Sequence, residues 1–322
     1  MKFYFAPLEG ITGQIYRNSF NKHFEGPDKY FMPFLHPKSY GHLSVREKEE
    51  LAIENNKDID VVPQILTNDA EDFLKIAEQL QKYHYQEVNF NLGCPSNSVV
   101  NKGRGSGFLA KPTQLDEFLT EVFAKSQMKI SIKTRIGRDN PDEFARILEI
   151  FNKYPATELI VHPRIRTDFY ANKPNWQAFG QAIKGSVAST CYNGDIFTKS
   201  DYLRLIKTFP TLTSVMLGRG LIGNPFLLEE IKDDNLVDSM AINERIADDV
   251  KRFWEFHDDV LVNYQRVMPL EMELTVVFKM KELWRYMLAS FTDGEKYRQG
   301  INEAMSIISY LKVIEKMKSE YQ

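Results

Sequence analysis

Few side chains can donate a proton, grip an anion or orient a flat ring. In this 322-residue chain such side chains collect where short apolar runs end. Pro7-Leu8-Glu9-Gly10 follows the first run, and Gln64 falls in a later one. Asn89 and Asn91 precede Gly93-Cys94-Pro95. Lys133, Arg135, His162 and Arg164 come next, then Asn193-Gly194-Asp195 and Gly218-Arg219-Gly220. A thiol with the ordinary pKa of about 8.5 is mostly protonated at neutral pH and can give up a proton. Gly93 and Pro95 would hold Cys94 on a rigid turn. Lys133 at a buried strand end needs an anion, because an unpaired buried ammonium is costly. A reduced flavin ring would satisfy it, and so would a carboxylate such as Glu9. Glycines at 194, 218 and 220 let the backbone approach a ligand closely. Arg219 adds charge-assisted hydrogen bonds, a combination suited to a phosphorylated cofactor. Cys191, inside an apolar run, reads as a small buried hydrophobe.

The apolar runs that carry these groups are Phe3–Pro7, Phe31–Leu35, Val61–Leu66, Glu87–Leu92, Ile130–Arg135, Glu158–His162, Ser186–Tyr192 and Ser214–Leu217. Their number, with helical stretches such as Ala70–Tyr83, Leu115–Ser126 and Asp142–Lys153 between them, predicts a (β/α)8 TIM barrel. In that fold the active site lies at the C-terminal strand ends, where the polar residues gather. From about Asp238 the apolar residues repeat at three-to-four spacing, which predicts an all-helical C-terminal domain. The expected division is 1–235 for the catalytic barrel and 238–322 for the helical domain.

Composition excludes several classes. Hydrophobic residues make up 43% and charged residues 26% of the chain, as in an ordinary globular protein. No run approaches the roughly 20 apolar residues of a membrane span, so a cytoplasmic location is expected. Two cysteines give neither a disulfide framework nor zinc spacing, and no metal is expected. A net charge of −3 means that RNA binding would need a local basic patch.

Ala6-Pro7-Leu8-Glu9-Gly10, Asn91-Leu92-Gly93-Cys94-Pro95-Ser96, Lys133-Thr134-Arg135-Ile136-Gly137, His162-Pro163-Arg164 running to Tyr170 and Trp176, Asn193-Gly194-Asp195 and Gly218-Arg219-Gly220 together resemble the tRNA-dihydrouridine synthase family. The resemblance implies an FMN enzyme that reduces a uridine in tRNA to 5,6-dihydrouridine, with NADPH as electron donor. It implies hydride transfer from flavin N5 to C6 of the uracil and a proton from Cys94 to C5. It also implies FMN contacts from Pro7, Leu8, Glu9, Gln64, Lys133, His162, Asn193, Gly194, Asp195, Gly218 and Arg219. Family members usually have Gln and Gly where Asp168 and Asn172 stand, and Met where Leu8 stands. These departures bear on substrate contact and subfamily.

A uracil must leave its stack to reach a flavin inside a barrel, and Asn91 and Arg135 are expected at its polar edges. The glycine-rich Asn101–Gly107 segment reads as a mobile lid with Lys102, Arg104 and Lys111 facing RNA phosphate. Lys279, Lys281 and Arg285 are expected to form a basic stripe on the helical domain, whose residues 236–322 hold 12 Lys and Arg against 15 Asp and Glu. The alternatives are an FMN barrel acting on a free pyrimidine, like dihydroorotate or dihydropyrimidine dehydrogenase, and a non-catalytic tRNA-binding protein. A helical domain disfavours the first, and Cys94 with Lys133 disfavours the second. A monomer is expected.

Overall fold

The computed structural model describes residues 1–37, 42–233 and 240–321. Its sheet comprises β1 (Lys2–Phe5), β2 (Lys29–Phe31), β3 (Val61–Val62), β4 (Gln64–Ile65), β5 (Glu87–Leu92), β6 (Lys129–Gly137), β7 (Glu158–Ile165), β8 (Ser189–Asn193) and β9 (Ser214–Leu217). All pairings are parallel, in the order β3-β2-β1-β9-β8-β7-β6-β5-β4. β3 and β4 are one run interrupted at Pro63, whose nitrogen has no hydrogen for the ladder. Because β3 pairs with β2 and β4 with β5, the two ends of the sheet meet at that proline and the barrel closes. The predicted (β/α)8 architecture is therefore present.

Several strand boundaries differ from those expected; the first strand stops at Phe5 and the sixth run continues to Ile165. The regular ladder of the second strand ends at Phe31, and Leu35 rejoins only through an isolated bridge to Ile65. Ser186, expected in a strand, instead ends the helix Trp176–Gly185, and β8 begins at Ser189. Side-chain caps set several helix starts. Asp69 accepts from the Asp72 amide before Ala70–Lys82, and Asn175 accepts from the Ala178 amide before Trp176–Gly185. Pro112 opens Pro112–Lys125, a position where its missing N–H is not needed.

Strand alternation divides chemistry from packing. Phe90 faces outward, stacked on Phe118 at 4.7 Å and edge-on to Phe73 at 5.7 Å. Asn89 and Asn91, one residue to either side, face inward, opposite Ser131 and Lys133 of β6. The barrel interior thus carries polar rungs on β4, β5 and β6 behind an aromatic jacket.

The chain divides into two compact units. The first holds Met1–Pro7, Asp28–Asp195 and Ile206–Leu217 and contains the whole sheet; the second holds Leu8–Pro27, Ile196–Leu205 and Gly218–Gln322. The expected boundary between 235 and 238 lies outside the described residues. In the second unit, Tyr16 and Phe24 set their rings edge-on to Phe256 of the long helix Ala247–Val267, with centroids 5.6 and 5.1 Å away. Helices Glu273–Met287 and Ile307–Glu320 join that helix through one buried hydroxyl. Tyr310 Oη accepts from Trp284 Nε1 at 2.7 Å and meets His257 Nε2 at 2.6 Å. No helix among the described residues is long and apolar enough to cross a membrane.

Candidate active site

Cys94 lies two residues beyond β5, and its turn is fixed from beneath by an amide relay. Asn91 Oδ1 accepts from the amides of Gly93 at 3.0 Å and Cys94 at 2.9 Å. Asn91 Nδ2 donates to Gln64 Oε1 at 2.7 Å, Gln64 Nε2 donates to Asn89 Oδ1 at 2.7 Å, and Asn89 Nδ2 donates to Ser131 Oγ at 2.9 Å. Gln64, Asn89 and Ser131 are fully buried, so each amide orientation is set by its neighbour. From the other side, Ser106 donates to the Cys94 carbonyl through its amide at 3.1 Å and its hydroxyl at 2.8 Å.

The segment that supplies Ser106 is packed rather than lid-like. Gly105, Ser106, Gly107, Phe108 and Leu109 are buried in a 3-10 helix. Gly105 sits at φ +55°, where a Cβ would come within 2.8 Å of the Cys94 carbonyl, and a Cβ on Gly107 would come within 2.7 Å of the Val100 carbonyl. These glycines serve close approach, not mobility. Lys102 and Lys111 are exposed at its rim, and Arg104 Nε donates to Asn68 Oδ1 at 3.2 Å.

Lys133 is the unusual member of the group. Its side chain is only partly exposed, and its ammonium has neither a hydrogen bond nor an ion pair among the described residues. Burial, and then the nearby Arg135 guanidinium, push its pKa down to about 8. Among the described residues no carboxylate pairs with it. An uncompensated cation of this kind marks a place for an anionic ligand.

Arg135, expected at the substrate, is 1% exposed. Its Nε donates to the Gly93 carbonyl at 3.0 Å, Nη1 to Ile165 at 2.7 Å and Nη2 to Phe169 at 2.8 Å. Burial above all holds its pKa down at about 10. The guanidinium thus ties the Cys94 turn to the segment after β7. Beside it, Arg164 grips the Asp195 carboxylate through both terminal nitrogens. Arg164 Nη1 also lies 3.0 Å from His162 Nε2, which assigns the ring proton to Nδ1. Asn193 Nδ2 donates to the Met216 carbonyl at 2.9 Å. At Gly194 any Cβ would overlap the Tyr192 hydroxyl, which accepts from Trp176 Nε1 at 3.0 Å, so the backbone there has to stay bare.

The remaining expected residues fall at the unit boundary or in the second unit. Pro7 follows Ala6, whose amide bonds to Leu217. Leu8 opens a turn in which its amide donates to Thr12 Oγ1 at 2.8 Å, and Glu9 is exposed. Gly218 begins the short helix Arg219–Gly223, and the Arg219 guanidinium lies 5.3 Å from the Phe197 ring centroid. No sequence motif marks Ser131 or Ser106 as a support. Ser131 is readable in retrospect, two residues before Lys133 and therefore on the same strand face. The stripe expected from Lys279, Lys281 and Arg285 does not form. Residues two apart on a helix do not share a face. Lys281 is buried with Nζ on the Asn302 carbonyl, Lys279 Nζ bonds the Gly10 carbonyl, and Arg285 pairs with Glu282.

A dihydrouridine synthase family model matches residues 4–320. The chain belongs to the dihydrouridine synthase family. Among its relatives in that family, probable tRNA-dihydrouridine synthase 2 of Bacillus subtilis is 25% identical over 78% of this chain and 79% of its own length. A probable tRNA-dihydrouridine synthase of Staphylococcus aureus is 28% identical over 71% of this chain and 70% of its own. In fold, a variant of NCR from Zymomonas mobilis superposes with a TM-score of 0.51 at 13% identity, covering 71% of this chain and 87% of that one. The flavin expected from the sequence fits two local features of the barrel. They are the unpartnered Lys133 cation and the bare backbone enforced at Gly194.

Proposed function

We propose that this protein reduces a uridine of tRNA to 5,6-dihydrouridine, with FMN as cofactor and NADPH as electron donor. The observation that carries the reading is a protonatable Cys94 held on a doubly clamped turn, in the same barrel mouth as a lysine that lacks an anion. FMN held at these strand ends would supply a hydride for C6 of the uracil. Lys133 offers positive charge to the flavin, and Gln64, His162, Asn193, Gly194 and Asp195 line the same strand ends. Pro7, Leu8, Glu9, Gly218 and Arg219 are assigned to the cofactor through their motifs. Cys94 gives its proton to C5, and the relay from Ser131 to Asn91 keeps the turn from drifting while it does so. Asn91 keeps one amide hydrogen for the uracil edge. Arg135 acts mainly by joining the Cys94 turn to the segment after β7. Lys102 and Arg104 meet RNA phosphate, and the helical region beyond 238 contributes further RNA surface. The reading takes the protein as a monomer and needs no metal ion.

The test is spectroscopic. Purified protein, reconstituted with FMN if required, should show flavin bands at roughly 375 and 450 nm. NADPH should bleach them without oxygen, and unmodified tRNA should restore them while free uracil and dihydroorotate do not. Absence of flavin after reconstitution, or restoration by a free pyrimidine alone, overturns the reading.

A further inference from the structure

Phe169 adopts φ +48° and ψ −97°, a conformation that costs energy for any residue bearing a Cβ. The surroundings enforce it. Arg135 Nη2 holds the Phe169 carbonyl at 2.8 Å, and the Phe169 amide bonds the Arg166 carbonyl at 3.2 Å. Asp168 secures the turn by accepting from the Ile165 amide at 3.0 Å and from Asn172 Nδ2 at 2.5 Å. The outcome of this enforcement is a phenylalanine that is 42% exposed. Strain spent on presenting an apolar ring to water is unexplained by folding and points to a ligand.

Arg166 completes the feature. Its guanidinium carbon lies 5.2 Å from the Phe169 ring centroid, and Nη2 bonds Asn97 Oδ1. Its Nε is buried and has no acceptor among the described residues. Asn97 starts the short helix that follows Cys94-Pro95-Ser96, and Arg135 reaches the Gly93 carbonyl. Two bridges therefore fix Phe169 and Arg166 to the two sides of the Cys94 turn.

Resting on the tRNA reading above, we propose that Arg166 and Phe169 form a subsite for a nucleotide flanking the target uridine. Extruding a uridine breaks the stacking of its neighbours, which then need a new flat partner. The exposed Phe169 ring provides it for any base, and the Arg166 guanidinium adds positive charge beside that ring, suited to a neighbouring phosphodiester. The residues set affinity and register rather than the chemical step.

The experiment compares FMN-loaded wild type with Phe169→Ala, Phe169→Trp and Phe169→Gly, using an unmodified tRNA transcript. Phe169→Ala should raise KM for tRNA by roughly 5- to 100-fold, the loss of one stacked base, and leave flavin reduction by NADPH unchanged. Phe169→Trp should stay close to wild type. Phe169→Gly relieves the backbone and should raise Tm while still weakening tRNA, which separates a binding role from a folding one. Wild-type turnover combined with wild-type KM in both Phe169→Ala and Phe169→Gly overturns the subsite alone. A wild-type flavin that tRNA does not reoxidise overturns the functional reading and the subsite with it.

Discussion

Two lysines of one barrel are treated in opposite ways. Lys29, at the start of β2, is half-buried and bonds Glu87 at 2.6 Å. Burial alone would lower its pKa, but the Glu87 hydrogen bond and charge outweigh that and hold it above the usual value. Nearby, Glu158 is held by Ser214 at 2.8 Å and Tyr4 at 3.2 Å. The N-terminal end of the barrel closes its own electrostatic accounts. Lys133, toward the C-terminal end, has no hydrogen-bond or ion-pair partner among the described residues, and its pKa falls to about 8. One end is finished as a structure, while the other is complete only with a ligand.

The strongest challenge to that contrast is Cys94→Ala. It should retain flavin yet lose about 10²- to 10⁴-fold in tRNA-dependent reoxidation. Full turnover in this variant, measured by stopped-flow absorbance, would remove the proton donor from the open end.

Lys133→Met should weaken FMN by at least tenfold in a fluorescence titration and raise the Tm of the cofactor-free protein by about 2–4 °C. The sign follows from linkage. The folded pKa of Lys133 lies below its unfolded value of about 10.4, so the unfolded chain holds more protons between pH 8 and that value. The cost of Lys133 is full below pH 8 and fades as pH rises, so the Tm advantage of Lys133→Met should shrink across that window.

Lys29→Met should do the reverse at the other end. It should cost about 1–3 kcal/mol of stability by leaving Glu87 without its partner, with FMN affinity intact. The Lys29 contribution is present below its unfolded pKa and is lost as pH rises through the raised folded one. Tyr4→Phe carries the smallest expected effect, about 1 kcal/mol from the lost Glu158 hydrogen bond, with no change in flavin chemistry. A clear drop in tRNA turnover from either variant would blur the distinction between the two ends.

Much of this arrangement is legible in the residues. Strand positions follow from short apolar runs, and the polar residues fall at the strand ends because apolar positions are needed only where strands and helices pack. What sequence hides is the identity of each partner. Nothing local says that Arg135 spends its donors on three carbonyls, or that Lys281 finds the Asn302 carbonyl. The glycines of 103–107 suggest mobility until the atoms packed against them are seen. Phe169 offers no warning at all, since its left-handed backbone depends on contacts from β6 and from its own turn.

The Tyr310 hydroxyl has a consequence for how the helical region comes apart. Helices Ala247–Val267, Glu273–Met287 and Ile307–Glu320 converge on it, through His257, Trp284 and Tyr310 itself. His257 Nδ1 continues the chain at 2.8 Å to Asp258, which Lys318 also grips. Opening any one helix strands a buried polar group on the other two, so partial detachment is penalised. Amide hydrogens in all three helices should therefore exchange with deuterium as a single cooperative block, not helix by helix.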